Sequence, residues 1–370
     1  MANPTILIIG TDMMALYNHR LELIQRLISI GFGVTVVAPR GGEEKGLEKI
    51  GVKFIDTKMD TRGTNPKRDL KLLRALVAII NKENPGVVLT FYTKTNIYGG
   101  IACRLTNTPY IENITGLGSA VSKKGPLHKL MKALYKCAIA KASIVFFQNK
   151  SNEAFFKSGS MPVKRSRLLP GSGVCLTRFV PLEYPADGNF EFVFISRVLK
   201  EKGIEEYIEA AKLIQKKYPG TVFHVVGPAD KELTSYLREA EKEGVIKYHG
   251  KTFDTTQYIK RTHCTVFPSY YAEGMANVLL ESASSARPII TTNRPGCGET
   301  VEDGVTGFIV KEKDYLDLAN KIERFILMPY DKKKEMGLNG RSKMEKEFNR
   351  DIVIDAYEEE IKKILSPVES

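Results

Sequence analysis

Two carboxylates bracket the stretch EGMANVLLE, Glu273 and Glu281, with seven residues between them. The surrounding sequence, FPSYYAEGMANVLLES, closes a strand at Pro268 and Ser269 and turns at Gly274. It then reads as a helix from Ala276 whose buried side is Val278, Leu279 and Leu280. Glu273 thus precedes a helix N-terminus, and Glu281 lies about two turns along, roughly 80° away around the axis. Free N–H groups and the helix dipole at such an end suit a phosphate. Carboxylates on both sides of that phosphate can accept hydrogen bonds from the hydroxyls of a sugar and of a ribose. A capping acid followed by a solvated surface acid fits the same spacing.

Two cations belong to the same half of the chain. In FISRVLKEKGIEEYIEAAKLI, Arg197 follows a strand, and Lys202 sits in the loop opening the next helix, with Gly203 freeing the backbone. Arginine grips a diphosphate by a planar fork and lysine as a point charge. Solvated surface cations are the alternative. The stretch NRPGCGETVEDGVTGFIV supplies a glycine-rich loop whose N–H groups can approach a ligand, unless it is an ordinary turn.

The elements that must position these residues alternate along the chain. Strands are expected at TILIIG, VTVVAP, KFIDT, VVLTFY, YIENIT and SIVFFQN, with helices such as NHRLELIQRLISIG and RDLKLLRALVAIINKE between them. PLEYPADGNF reads as a linker. The alternation restarts with FEFVFIS, TVFHVVG, IKYHG, CTVFPS, RPIITT and GFIV. Two blocks of βα units predict two doubly wound α/β domains, residues 1–180 and 181–345. Ligands of such sheets bind at the carboxyl ends of the strands, here expected in a central cleft that the domains face. Residues 346–370 form an amphipathic helix expected to pack back toward the first domain.

Composition narrows the function. The 370 residues are 43% hydrophobic and carry a net charge of +12. That favours a phosphate-bearing partner: a phosphorylated ligand, an anionic membrane or nucleic acid. No apolar run is long enough to span a bilayer, and MANPTILIIG lacks the basic start and cleavage site of a signal peptide. Cys103, Cys137, Cys175, Cys264 and Cys297 are scattered without a CxxC pair, as for reduced thiols in a cytoplasm.

Residues 190–310 resemble the retaining glycosyltransferases of family 4, which have the GT-B fold. The matching features are SRVLKEKG, VVGPA, YHGKT, FPSYYAEGMANVLLES, RPIITT and PGCGETVEDGVTGFIV, in that order. The resemblance implies that Glu273 holds the hydroxyls of a donor sugar, Glu281 the nucleotide ribose, and Arg197 and Lys202 the diphosphate. It implies that Gly274, Met275, Ala276, Asn277 and Val278 bring backbone N–H groups to the phosphate and sugar. PGSGVCLTRFVP looks like the family's inter-domain segment, with Cys175 where Asp is usual. IENITGLGSAV and LPGSGV are similar to a subgroup that extends undecaprenyl-pyrophosphate-linked oligosaccharides, including N-acetylgalactosaminyltransferases. Many members have a His near the start of the former loop, where this chain reads Glu112-Asn113. Glu112 and Thr115 are therefore acceptor-side candidates. In IIGTDMMALYNHR, Gly10 is expected near the donor phosphates, with His19 or Arg20 facing the cleft or serving the helix start.

From Asn113 to Asn152 there is no acid but seven lysines, at 123, 124, 129, 132, 136, 141 and 150. On a helix from Pro126, Leu127, Leu130, Met131, Leu134 and Ala138 form a stripe opposite Lys129, Lys132 and Lys136. This predicts an interfacial helix on anionic lipid, with Lys123 and Lys124 for an acceptor pyrophosphate. A helix packed on its own domain is the alternative. An RNA-binding face lacks motif and interleaved aromatics.

The expectation is a metal- and cofactor-independent transferase, peripheral on the inner face of the cell membrane. It takes a UDP-sugar, N-acetylgalactosamine foremost, and a polyprenyl-pyrophosphate-linked acceptor. A sugar-nucleotide epimerase of the same architecture and a non-catalytic lipid- or anion-binding protein are the rivals.

Overall fold

The computed structural model describes residues 4–59, 65–116, 126–158, 161–252 and 254–366. Lys123, Lys124 and the side chain of Leu127 lie outside the described residues. The chain divides into two compact units. The first comprises Met1–Ser172 with Asp351–Ser370, the second Gly173–Arg350.

The first unit alternates β1 (Thr5–Ile9), α1 (Met13–Ser29), β2 (Gly33–Ala38), α2 (Glu44–Glu48), β3 (Lys53–Asp56) and α3 (Pro66–Glu83). It continues with β4 (Val87–Phe91), α4 (Thr93–Thr106), β5 (Tyr110–Ile114), α5 (Pro126–Ile139), β6 (Ile144–Phe147), α6 (Lys150–Ser158) and β7 (Ser166–Leu168). Local chemistry sets the helix starts. Asp12 caps α1 by accepting from the Ala15 N–H at 2.9 Å. Asn65 caps α3 by accepting from Lys67 and Arg68 N–H, with Pro66 at the first helical position. The strands form one parallel sheet in the order β3-β2-β1-β4-β5-β6-β7. Both its faces are covered, so Ile6 to Ile9 and Val87 to Leu89 are wholly buried.

The second unit contains β8 (Glu191–Ile195), a 3₁₀ turn at Lys200–Lys202, α7 (Ile204–Lys217), β9 (Val222–Val226), α8 (Lys231–Lys242), β10 (Lys247–Tyr248) and α9 (Thr256–Arg261). Then follow β11 (Cys264–Phe267), α10 (Asn277–Ser284), β12 (Ile289–Thr292), β13 (Gly307–Val310), α11 (Tyr315–Leu327) and α12 (Tyr330–Glu347). Its parallel sheet runs β10-β9-β8-β11-β12-β13. Counted from its own first strand, this is the same 3-2-1-4-5-6 order as in the first unit. Each sheet therefore has a switch point: β1 beside β4, and β8 beside β11.

The last helix, α13 (Arg350–Leu365), buries Val353, Ile354, Tyr357 and Ile361 in the first unit's core. The Tyr357 ring stands edge-on to Phe146 at 4.8 Å and tilted to Phe91 at 6.0 Å. Its hydroxyl accepts from the Asn113 amide.

Two expectations require correction. Pro181–Phe190 is not a linker: Tyr184 and Phe190 are buried in the second unit's core, and Arg287 donates to the Leu182 and Glu183 carbonyls. Nor is the α5 stripe free for lipid. Met131, Tyr135, Ala138 and Ile139 are buried against the first unit, and Leu134 is partly so. Leu130 is 54% exposed, on a face shared with exposed Ala133 and Cys137. Tyr135 and Ile139 extend the apolar arc, and the sheet takes that side.

Replacing Tyr357 with Ala should cost the full chain about 3–5 kcal/mol, as for other buried aromatics. Urea unfolding measures it; a loss within about 0.5 kcal/mol would mean that α13 is peripheral to the core.

Candidate functional site

Strands β8 and β11 are neighbours, so the loops leaving their carboxyl ends emerge side by side. The first loop carries Arg197 and Lys202, the second Glu273. Arg197 is exposed, and its side chain makes no ion pair among the described residues. Lys202 differs. Its ammonium pairs with the Glu273 carboxylate, and the two side chains are only 12% and 10% exposed. The same ammonium lies 5.2 Å from the Phe267 ring centroid and 4.9 Å from that of Tyr271. Backbone fastens the loops together: Tyr270 N–H donates to the Glu201 carbonyl at 2.9 Å. Gly203 permits this approach. Its φ is +82°, and a Cβ there would stand 2.2 Å from the Pro268 carbonyl oxygen.

A third loop, after β12, completes the site. Glu299 accepts from Gly296 N–H at 2.7 Å, and the Gly296 carbonyl accepts from Ala276 N–H at 2.8 Å. A Cβ on Gly296 would meet the Gly274 carbonyl oxygen at 2.6 Å. The Ala276 amide is therefore spent inside the protein, a correction to its expected part in anion binding. Helix α10 begins at Asn277, so Val278 N–H has no carbonyl four residues back within the helix. Gly274, Met275 and Ala276 are buried; Asn277 and Val278 are partly exposed.

Glu281 sits on α10, partly buried. Desolvation raises its pKa to about 7, against the opposing pull of Arg178, Arg350 and a hydrogen bond from Thr255. This carboxyl thus changes charge near neutrality, which the EGMANVLLE spacing does not disclose.

The first-unit candidates fare unevenly. Gly10 lies at the carboxyl end of β1, where a Cβ would strike the Leu16 side chain at 2.7 Å, so its smallness serves strand–helix packing. His19 is half-buried. Arg20 is 4% exposed, with its guanidinium 4.4 Å from the Phe91 ring centroid, so it does not face solvent. Glu112 is not placed to meet an acceptor. It is wholly buried on β5, neither carboxylate oxygen has a hydrogen-bond partner among the described residues, and desolvation raises its pKa well above the usual carboxylate range. Mid-strand, it points toward Gly100 on α4 and Ala138 on α5. Thr115, just beyond β5, is half-buried. Lys129 and Lys136 are exposed on α5, while Lys132 covers the Phe155 ring at 5.5 Å. Sequence reading passed over Tyr92, at the switch point of the first sheet. Its φ of +75° is unusual for a non-glycine residue, and burial pushes its hydroxyl up to about 12.

Family comparison now adds to the geometry. Residues 7–149 match the model "Glycosyl transferase 4-like" and residues 183–343 the model "Glycosyl transferases group 1". The chain belongs to the glycosyltransferases that pair these two domains. It is 25% identical to the N,N'-diacetylbacillosaminyl-diphospho-undecaprenol alpha-1,3-N-acetylgalactosaminyltransferase of Campylobacter jejuni, covering 83% of this chain and 85% of that protein. It is 27% identical to the capsular polysaccharide biosynthesis glycosyltransferase CapM of Staphylococcus aureus, covering 78% and 80%. Among solved structures, Anabaena HepE in complex with UDP and glucose superposes with a TM-score of 0.78, at 19% identity over 98% of this chain and 100% of that one. The fold of this glycosyltransferase is GT-B.

The pH dependence of Glu281 follows from its raised pKa. An unfolded chain ionises this group near 4.5, the folded chain near 7. Its burial is harmless below the lower value and costs stability increasingly as pH rises to the upper one. Relative to Glu281→Gln, the parent should lose up to about 3 kcal/mol between those values. Urea midpoints of both proteins across that window read the difference; parallel curves would mean that Glu281 ionises normally.

Proposed function

We propose that this chain is a retaining glycosyltransferase that moves a hexosamine, N-acetylgalactosamine foremost, from a UDP-sugar to a polyprenyl-pyrophosphate-linked sugar during bacterial glycan assembly. The observation that carries the reading is the Lys202–Glu273 ion pair at the carboxyl edge of the switch-point strands β8 and β11, with Arg197 on the same loop as Lys202. The Campylobacter relative is named for transferring N-acetylgalactosamine to a diphospho-undecaprenol-linked sugar, and the HepE structure holds UDP with glucose. Arg197 and Lys202 face the diphosphate. Glu273 receives the donor sugar's hydroxyls, and Glu281, in its ionised form, the ribose.

The acceptor hydroxyl attacks the anomeric carbon from the face that the phosphate leaves. The carbon–oxygen bond to the β-phosphate breaks with its electron pair going to that phosphate, whose oxygen takes the acceptor proton. Negative charge grows on the leaving diphosphate, and fixed cations stabilise it. No metal or cofactor is needed for this step.

Most of the polyprenyl chain stays in the bilayer, so the enzyme works at the inner membrane surface. The net charge of +12 favours anionic lipid, and exposed Leu130, Lys129 and Lys136 on α5 are the residues that meet it. Nucleic acid is not a partner.

A transfer assay crossing UDP-hexosamines and UDP-hexoses with polyprenyl-pyrophosphate-linked sugars tests the reading. Product from UDP-N-acetylgalactosamine with its α configuration kept is expected; an inverted product refutes retention. Arg197→Ala should lower turnover by about 10²–10³-fold. Lys202→Ala combined with Glu273→Ala should cost clearly less than the sum of the single losses, because either single change strands its partner's charge. Strict additivity would uncouple the pair.

Activity should also persist in excess EDTA. Complete loss with recovery on adding Mg²⁺ or Mn²⁺ would return the diphosphate to a metal.

A further inference from the structure

The first unit also holds a concavity that shares no lining residue with the candidate site described above. It is a groove of about 860 Å³ between α3 and the segment leaving β3. Its floor is aliphatic: Ile55, Met59, Leu72, Ala75 and Ile79. Among the described residues, no aromatic ring and no amide side chain lines it. A nucleotide base would have nothing to stack on there, and a sugar ring few groups to bond.

The rim is charged. Two acids line the groove, and each already has a cation. Lys94 lies 2.9 Å from Asp69, and Arg40 lies 3.4 Å from Asp56. Tyr98 donates its hydroxyl to Asp69 as well, at 3.0 Å. Lys58 and Lys71 remain exposed and make no ion pair among the described residues. An aliphatic trough beneath uncompensated cations fits a ligand with an apolar chain and a compact anionic head.

We propose that this groove seats the isoprenoid pyrophosphate of the acceptor carrier, the first isoprene units on the floor and the pyrophosphate against Lys58 and Lys71. The choice of carrier rests on the activity proposed above; the groove's preference for an aliphatic anion does not. Holding the first units of the chain lifts the attached sugar away from the bilayer, which a head-group contact alone would not do.

Calorimetric titration of the full chain with farnesyl pyrophosphate tests this without any transfer reaction. The compound should bind more tightly than inorganic pyrophosphate, by about fourfold for each methylene taken into the groove. Ala75→Trp, which fills the trough, should weaken it by more than about tenfold, the worth of only two methylenes. Lys58→Glu with Lys71→Glu should weaken it similarly while leaving the melting temperature and UDP-sugar binding unchanged. This charge variant guards against a misfolded tryptophan variant. Indifference of binding to both variants overturns the proposal, and so does equal affinity for inorganic pyrophosphate. Full competition by phosphatidylglycerol vesicles would make the groove a general lipid site and overturn the isoprenoid assignment. Loss of binding only in Lys123→Glu with Lys124→Glu would give the pyrophosphate to those two lysines instead. The two readings fail separately. Groove-dependent binding with no transfer to any polyprenyl acceptor sinks the activity alone; transfer with groove-independent binding sinks the groove alone.

Discussion

Every described strand pairing in this chain is parallel, and a parallel strand can be followed only by a crossover that returns the chain to its starting edge. All loops leaving the strands therefore gather on one edge of each sheet. Where the winding reverses, the first and fourth strands lie side by side and their loops diverge, opening a crevice. In the second unit those strands are β8 and β11. Arg197 and Lys202 leave one and Glu273 leaves the other, so 71 residues of chain separate two side chains that share an ion pair. The topology makes that meeting inevitable; the side chains exploit it.

Close approach of the loops then depends on what is missing. At Gly203 and Gly296 any side chain would run into neighbouring backbone. The loop after β12 is tied to the start of α10 by the Gly296–Ala276 bond, and Glu299 braces that loop in turn. Under the proposed function, a phosphate arriving here meets a backbone already fixed. The cost is that some N–H groups near the helix start, Ala276 among them, are occupied by the bracing.

The strands were legible because a buried parallel sheet writes itself as short β-branched runs between amphipathic helices. β7 escaped notice, being three residues at the sheet's edge with little apolar content. The α5 face was misread for a definable reason. Apolar residues at 130, 131, 134, 135, 138 and 139 make an arc too wide to say which part faces the sheet, and only packing chose. Glu112 misled for another reason. It falls within YIENIT, read as a strand, and only the family resemblance made it an acceptor candidate; mid-strand, with both faces of the sheet covered, it is wholly buried. Within the donor candidates, the residue types and the local spacing were readable. The Lys202–Glu273 pairing and the desolvation of Glu281 were not, because both depend on elements distant in the chain. The α3 groove has no local signature at all; it arises from the packing of a helix against a strand end.

Under the proposed reaction, the two cations start from different surroundings, and this shapes what each contributes. Arg197 is exposed and must give up solvent when a diphosphate arrives. Lys202 is already largely desolvated, and Glu273 stands in for the incoming anion. Exchange of that partner for a phosphate leaves a carboxylate without its cation. The hydroxyls of a donor sugar supply the hydrogen bonds that the carboxylate then lacks. A free diphosphate offers no such hydroxyls, so it must compete with Glu273 for Lys202 without repayment. The pair therefore couples recognition of the sugar to recognition of the phosphate: the ligand that satisfies both groups at once is the intact nucleotide sugar, and the departing diphosphate is the weaker competitor once the sugar has gone.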